Sequence, residues 1–125
     1  MTTLLVLYRR PDGGPEALET FERRYANEHL PLVAGTPGLR ETRIQRVSGA
    51  LGGDTDLVLV TAMRFDDRAA LDAGLASDAM RAAGRNLREI APGLATFLVV
   101  DDAPDLARAA SAGMDTVDTT AEGAE

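Results

Sequence analysis

The apolar positions in the first third of the chain indicate a short strand and then a helix. Residues 3–10, TLLVLYRR, favour a β-strand, and the PDGG sequence at residues 11–14 is typical of a turn. From Pro15 onward, apolar or aromatic side chains recur at steps of three and four residues, as on one face of a helix. These residues are Leu18, Phe21, Tyr25, His29 and Leu32. Pro31 disfavours helical geometry at the residue before it, so the sequence predicts that the helix ends near His29.

Two strands and a second helix are predicted in the middle of the chain. Residues 39–47, LRETRIQRV, alternate in the manner of a partly exposed strand, whereas residues 56–65, DLVLVTAMRF, are apolar enough for a central strand. Asp66 or Asp67 can cap the following helix, which should break near the ASD sequence at residues 76–78. The predicted apolar face of this helix consists of Leu71, Leu75, Met80, Ala83, Leu87 and Ile90.

The order of these elements predicts the fold. With a last strand at residues 95–100, ATFLVV, the chain has the order β-α-β-β-α-β. This order is typical of an α+β, ferredoxin-like domain, in which a four-stranded antiparallel sheet carries two helices on one face. Strand 56–65 has apolar side chains on both faces, so the uncovered face of the sheet would expose an apolar patch. The sequence therefore predicts a homodimer through the open sheet face.

The charge is unevenly distributed and separates a domain from a tail. The net charge is −7, but residues 101–125 contain seven acidic residues and one arginine, so the first hundred residues sum to −1. The sequence predicts one folded domain over residues 1–101 and an acidic, mostly disordered tail over residues 102–125. A short helix at residues 103–113 is the alternative for part of this tail.

The composition excludes several kinds of chemistry. The chain has no cysteine and one histidine, and all 13 of its basic residues are arginine. Disulfide, thiolate and lysine Schiff-base chemistry are therefore excluded, and we expect no zinc site and no cofactor. With five aromatic residues and no basic patch, nucleic acid is not an expected partner. No apolar run approaches the ~18 residues of a membrane span and no signal peptide is evident, so the expected location is the cytoplasm, away from membranes.

Four segments of the chain form a recognisable set: LLVLYRRPDG at 4–13, FERRYANEHLPLV at 21–33, PGLRETRI at 37–44 and MRFDDRAALDAGLAS at 63–77. Together they resemble the EthD-like family of the dimeric α+β barrel superfamily. The most specific part is the aromatic-xxx-His-x-Pro-Leu pattern that starts at Tyr25. The resemblance implies a ferredoxin-like protomer, a dimer that forms a β-barrel, and a pocket between sheet and helices. Its relatives include muconolactone-type isomerases, aromatic polyketide cyclases and cofactor-independent oxygenases, so it implies no single reaction.

His29 is the leading candidate for a catalytic group. Its spacing from Tyr25 turns the imidazole toward the sheet, where burial would lower its pKa. The helix carboxyl end and the neighbouring Glu28 would instead raise that pKa. A histidine under such opposed influences can accept and donate a proton near neutrality, as an isomerase or cyclase requires. The alternative is a ring that only packs the end of the helix.

Two tyrosines are candidates for the same pocket. Tyr25 is assigned with His29 to the catalytic pair, where its hydroxyl would orient a substrate carbonyl or contact the imidazole. Tyr8, near the end of the first strand, is a candidate for substrate binding. For both residues the structural alternative is a core aromatic whose hydroxyl bonds to a neighbouring acceptor.

Four further residues are candidates for substrate binding. Arg43 and Gln45 share one face of the second strand and could bind a carboxylate or phenolate, although exposed arginines on strands are usually solvated. Met63 and Phe65 would form an apolar wall, with core packing as the alternative.

The residues and the resemblance together lead to three hypotheses. The first is a cofactor-independent enzyme of isomerase, cyclase or oxygenase type, which acts on a small apolar ring compound with a carbonyl group in catabolism or secondary metabolism. The second is a non-catalytic accessory protein that binds an apolar or aromatic ligand in the same pocket. The third is a purely structural dimeric domain whose acidic tail contacts a partner.

Overall fold

The computed structural model describes residues 1–114 and contains one antiparallel sheet with helices packed on it. The strands are β1 (Thr2–Arg9), β2 (Glu41–Arg46), β3 (Leu57–Phe65) and β4 (Ala95–Asp101). The helices are α1 (Gly14–Arg24), α2 (Leu30–Val33), α3 (Arg68–Leu75), α4 (Asp78–Ile90) and α5 (Pro104–Met114), with a π-helical turn (Tyr25–His29) between α1 and α2. The sheet order is β2-β3-β1-β4, which confirms the ferredoxin-like fold.

Strand β1 lies in the centre of the sheet and separates its two faces. Alternate β1 side chains are buried, and Val6, which is 1% exposed, lies opposite Thr61 of β3 and Phe97 of β4. The buried face is the one on which the helices pack, since α3 contacts both β1 and β3. On the opposite face, the apolar side chains are only partly covered. They are Leu5, Leu7, Val60, Ala62, Leu98 and Val100.

The break predicted in the second helix is present and is produced by side-chain caps. Asp67 accepts a hydrogen bond from the Ala70 amide at 2.9 Å and starts α3. Ser77 accepts one from the Met80 amide at 3.2 Å and starts α4, while its hydroxyl donates to the Gly74 carbonyl at 2.6 Å. These contacts satisfy backbone groups that the helix ends leave without partners, so the chain turns between two helices here.

The prediction that the first helix ends near His29 was wrong, because the chain continues as a π-helical turn and then as α2. The Leu30 amide bonds to the Tyr25 carbonyl five residues back, which widens the turn ahead of Pro31. Pro31 then falls in the first turn of α2, where its missing N–H costs little.

Other boundaries differ from prediction by small amounts. Strand β1 begins and ends one residue earlier than predicted, and β2 is shorter than the predicted 39–47 because only residues 41–46 pair with β3. Within the predicted tail, Pro104–Met114 is helical, as in the alternative of a short helix at residues 103–113, whereas residues 115–125 lie outside the described residues. The division into a domain and an acidic tail stays a prediction. Within residues 1–114, no helix combines the length and the apolar character that crossing a bilayer requires.

Candidate functional site

A cavity of about 610 Å³ lies between α4, the π-helical turn and the helix-facing side of the sheet. Most of its lining is apolar, and the side chains from the sheet come from alternate positions of β1 and β4. Typical contributors are Leu4, Val6, Val33, Ala83, Leu87 and Phe97. Cavities of this size and character hold small organic molecules in many proteins.

The cavity is open along β4, because the helices do not cover the side chains on the helix-facing side of this strand. Phe97 and Val99 lie on the same face as Val6 and Leu4, yet they are 57% and 41% exposed. Gly84, in the middle of α4, faces the same space and contributes no side chain. The edge strand and the helix therefore form two walls with an open gap between them.

His29 lies in the cavity lining and is 4% exposed. Its Nδ1 is buried and has no hydrogen-bond partner among residues 1–114. Burial is the main influence and lowers the pKa of the imidazole, while hydrogen bonding with the Asn86 side chain and the Ala83 backbone acts in the opposite direction. Burial therefore favours the neutral form of the ring.

Glu28, which was expected to favour the charged form of His29, is engaged elsewhere. Its carboxylate accepts hydrogen bonds from Arg24 Nε at 2.8 Å and Nη2 at 3.0 Å, and from Asn86 Nδ2 at 3.0 Å. These contacts lower the pKa of Glu28. Asn86 thus connects the acidic side chain to the neighbourhood of the imidazole.

Tyr25 lies beside His29 but does not line the cavity. The two rings are stacked, with centroids 5.1 Å apart and 27° between their planes. The Tyr25 hydroxyl is 2.5 Å from Thr61 Oγ1, and burial is the main cause of the raised pKa of this phenol. The structure therefore brings the predicted catalytic pair together, with the Tyr25 hydroxyl directed to Thr61.

Among the other predicted site residues, Tyr8 and Met63 line the cavity and Phe65 does not. Tyr8 is 1% exposed and meets Tyr25 edge to face at 5.2 Å, and burial strongly raises the pKa of its hydroxyl. Phe65 is fully buried against Gly74, so it belongs to the core.

Arg43 and Gln45 do not reach the cavity. They pair with Ala62 and Val60, whose side chains point to the open face of the sheet, and both are exposed. Arg43 contacts Glu41 at 3.2 Å on that same face. The sheet separates these two residues from His29.

Several lining residues were not identified from the sequence. Gly84 and Arg88 flank the predicted apolar face of α4, and Phe97 belongs to β4, for which only strand character was predicted. The two-residue alternation of β4 opposite β1 could have placed Phe97 on the helix-facing side. Within residues 1–114 there is no group of three or more His, Cys, Asp or Glu side chains that could hold a metal ion.

The fold of this chain is similar to that of several solved structures. No protein-family model and no curated protein matches the sequence. A crystal structure of an ethyl tert-butyl ether D (EthD) family protein from Bacillus halodurans superimposes with a TM-score of 0.74 at 28% identity, over 82% of this chain and 99% of that one. A dimeric ferredoxin-like protein of unknown function from Bacteroides fragilis has a TM-score of 0.60 at 17% identity, over 81% and 95%.

A third similar structure is that of SnoaB, a cofactor-independent oxygenase from Streptomyces nogalater, with a TM-score of 0.53 at 18% identity over 81% of this chain and 91% of that one. The fold and the cavity together define a ferredoxin-like α+β protein with a site between its sheet and its helices. The likeness to the Bacillus halodurans protein, over 82% of this chain and 99% of that one, supports the resemblance to the EthD-like family that the sequence indicated.

Proposed function

We propose that this chain is a cofactor-independent enzyme that moves a proton on a small, largely apolar ring compound with a carbonyl group. The observation that carries this proposal is the buried His29, whose ring lines a largely apolar cavity. An imidazole can accept and donate a proton near neutrality, and its place in the lining brings the ring next to any ligand that occupies the cavity.

The reaction that fits this group is a proton transfer beside a carbonyl. The neutral imidazole would take a proton from the carbon next to the carbonyl, so that the C–H electron pair forms an enolate. The imidazolium would then return the proton at another position of the same molecule. Isomerisation and cyclisation of this kind are redox-neutral and require no bound cofactor, while an oxygenase reaction would add molecular oxygen to the enolate.

The surroundings of His29 support a proton shuttle in two ways. Burial lowers the pKa of the ring, which keeps the base unprotonated at neutral pH. Stacking on Tyr25, which is itself held by Thr61, restricts the orientation of the imidazole. We assign Tyr25 a positioning role in place of the carbonyl contact expected from the sequence, because its hydroxyl already has a partner.

The comparisons support the cofactor-independent class. SnoaB is described as a cofactor-independent oxygenase and has this fold, which is therefore compatible with such chemistry. Because fold alone does not define a reaction, isomerase, cyclase and oxygenase types are all retained, and a role in catabolism or secondary metabolism stays a prediction.

We further propose that the protein is a homodimer through the open face of the sheet. This face has an apolar centre, and at its β2 edge it carries the contacts of Glu41 with Arg43 and Arg64. An apolar centre with a polar rim is typical of protein interfaces. Each cavity would then lie on the outer side of the dimer. A cytoplasmic location stays a prediction from the sequence.

Ligand binding without turnover is the second candidate function, because the cavity offers few polar groups to a ligand. The Tyr25 hydroxyl is bonded to Thr61, and Tyr8 is packed against aromatic rings. His29 could therefore serve only as a hydrogen-bonding group for a carried aromatic product.

The test is an NMR titration of the single histidine with unsaturated lactones, hydroxyquinones and phenols, followed by mass spectrometry of each mixture without added cofactor. The proposal expects that one class shifts the His29 ring signal and is converted by the wild-type protein. His29→Phe, which keeps an aromatic ring but removes both nitrogens, should bind the compound and leave it unchanged.

The outcomes separate the two functions. A compound that shifts the His29 signal and is recovered unchanged favours the carrier. Conversion that persists in His29→Phe would exclude the histidine as the proton shuttle. If no compound of the panel shifts the His29 signal, the ring is packed and the cavity does not serve such ligands.

A further inference from the structure

Among residues 1–114, Arg88 is the only arginine in the cavity lining, and no acidic residue of that range lines it. Seven other arginines, including Arg24 and Arg81, form ion pairs with carboxylates, but Arg88 has no such partner within residues 1–114. A guanidinium charge beside apolar walls, with no carboxylate partner in the described part of the chain, is a feature that the proton shuttle does not use.

The guanidinium of Arg88 extends back along α4 over Gly84. A Cβ atom added at Gly84 would lie 3.7 Å from Arg88 Nη1, and no other atom outside the helix backbone lies within 4 Å. Glycine in the middle of a helix costs about 1 kcal/mol relative to alanine. Its presence here leaves space in the cavity wall directly beside the charged group.

Arg88 and His29 lie in the lining of the same cavity. Ala83, whose backbone carbonyl contacts the imidazole, precedes Arg88 by five residues, a rise of about 7.5 Å along the helix axis. Because the arginine side chain turns back toward Gly84, its guanidinium lies beside the stretch of α4 that contacts the imidazole.

We propose that Arg88 binds an acidic group of the ligand, so that the cavity selects anionic ring compounds with a carboxylate or phenolate at the Arg88 end. Arg88 is exposed at the edge of the cavity, and its planar guanidinium presents paired N–H donors that match a carboxylate. This assignment rests on the proposed function of the cavity as a ligand site. The sequence had suggested Arg43 as an anion-binding residue, but Arg43 lies on the open face of the sheet. Arg88 lies in α4, on the side of the sheet that the helices cover.

The test uses two probes of similar shape, 2-naphthoate and the neutral ketone 2-acetonaphthone, with binding followed at low salt by the His29 ring signal. The wild-type protein should prefer the naphthoate. Arg88→Gln should weaken naphthoate binding by about tenfold and leave ketone binding unchanged. Arg85→Gln is the matched control, because Arg85 is exposed on the same helix outside the cavity lining.

Each result has a distinct meaning. Naphthoate affinity that is unchanged in Arg88→Gln, or that falls equally in Arg85→Gln, overturns the role of Arg88. Equal binding of the two probes by the wild-type protein also overturns it, while leaving the cavity as a ligand site. If neither probe binds any variant, both this inference and the proposed ligand-binding function fail. Circular dichroism of Arg88→Gln verifies that the helix is retained.

Discussion

Tyr25 lies stacked against His29, with the ring centroids 5.1 Å apart, and the Tyr25 hydroxyl lies 2.5 Å from Thr61 Oγ1. Both rings are buried at a spacing of four residues within one π-helical turn. In a regular α-helix, a step of four residues drifts by roughly 40° around the axis. Both rings lie on the buried side of the π turn, so the local helix geometry contributes to where the histidine lies.

The hydrogen bond between the side chains of Tyr25 and Thr61 should couple their contributions to the stability of the protein. Tyr25→Phe leaves the buried Thr61 hydroxyl without its partner and should lower the free energy of unfolding by about 1–2 kcal/mol. Adding Thr61→Val should recover part of that loss. Urea denaturation of the wild-type protein, the two single variants and the double variant would measure this recovery. Strictly additive losses in the double variant would contradict the pairing. Tyr25→Phe should preserve the His29 ligand response, because the stacked ring is retained.

The lowered pKa of His29 predicts a pH dependence of stability. Between the pKa of the folded protein and the unperturbed value of 6.5, the unfolded chain binds more protons than the folded chain. The free energy of unfolding should therefore rise with pH through this window and reach a plateau above pH 6.5.

Urea denaturation between about pH 8 and about pH 5 should show this slope in the wild-type protein and a smaller slope in His29→Phe. The carboxylates with lowered pKa values, Glu28 and Asp66, titrate below 4.5 and 3.8 and do not contribute in this range. An NMR midpoint of His29 above 6.5 would contradict the assignment.

Two neighbouring valines on β4 provide a matched test of the dimer. Val100 points to the open face and is 40% exposed, whereas Val99 points to the helix side and is 41% exposed. Val100→Glu should place a charge in the proposed interface and convert the dimer to a monomer in light scattering. Val99→Glu should remain dimeric and weaken ligand binding at the cavity rim. Equal effects of the two changes on the oligomeric state would exclude the open face as the specific interface.

Two helical glycines should respond oppositely to alanine. A Cβ at Gly74 would lie 2.8 Å from Phe65 and 3.1 Å from Thr36, so Gly74→Ala should destabilise the protein by about 1–3 kcal/mol. Gly84 has space for a Cβ, and Gly84→Ala should stabilise the protein by about 0.5–1 kcal/mol. The same alanine should reduce the cavity and weaken binding of a ring ligand. Thermal unfolding and ligand titration of both variants test this contrast.

Much of the fold could be predicted from the sequence, because strands and helices differ in the period of their apolar positions. The apolar run of β1 indicated a strand and the long apolar run of β3 indicated a central one, and Asp66 or Asp67 and the ASD sequence indicated the helix start and the break. The end of the first helix was predicted wrongly, since Pro31 normally stops a helix and the wide turn that accommodates it has no simple sequence pattern.

The sequence by itself determined the order of elements, the buried helix face that contains His29, and the limited chemistry of a chain with one histidine and no cysteine or lysine. Only the tertiary structure decided which candidates share a cavity. It placed Arg43 on the opposite side of the sheet, and it placed Arg88 and Phe97, residues distant in sequence from His29, around the same space. The physical reason is that local periodicity reports which face of one element is buried, whereas a site depends on strand register and on how helices cover an edge strand.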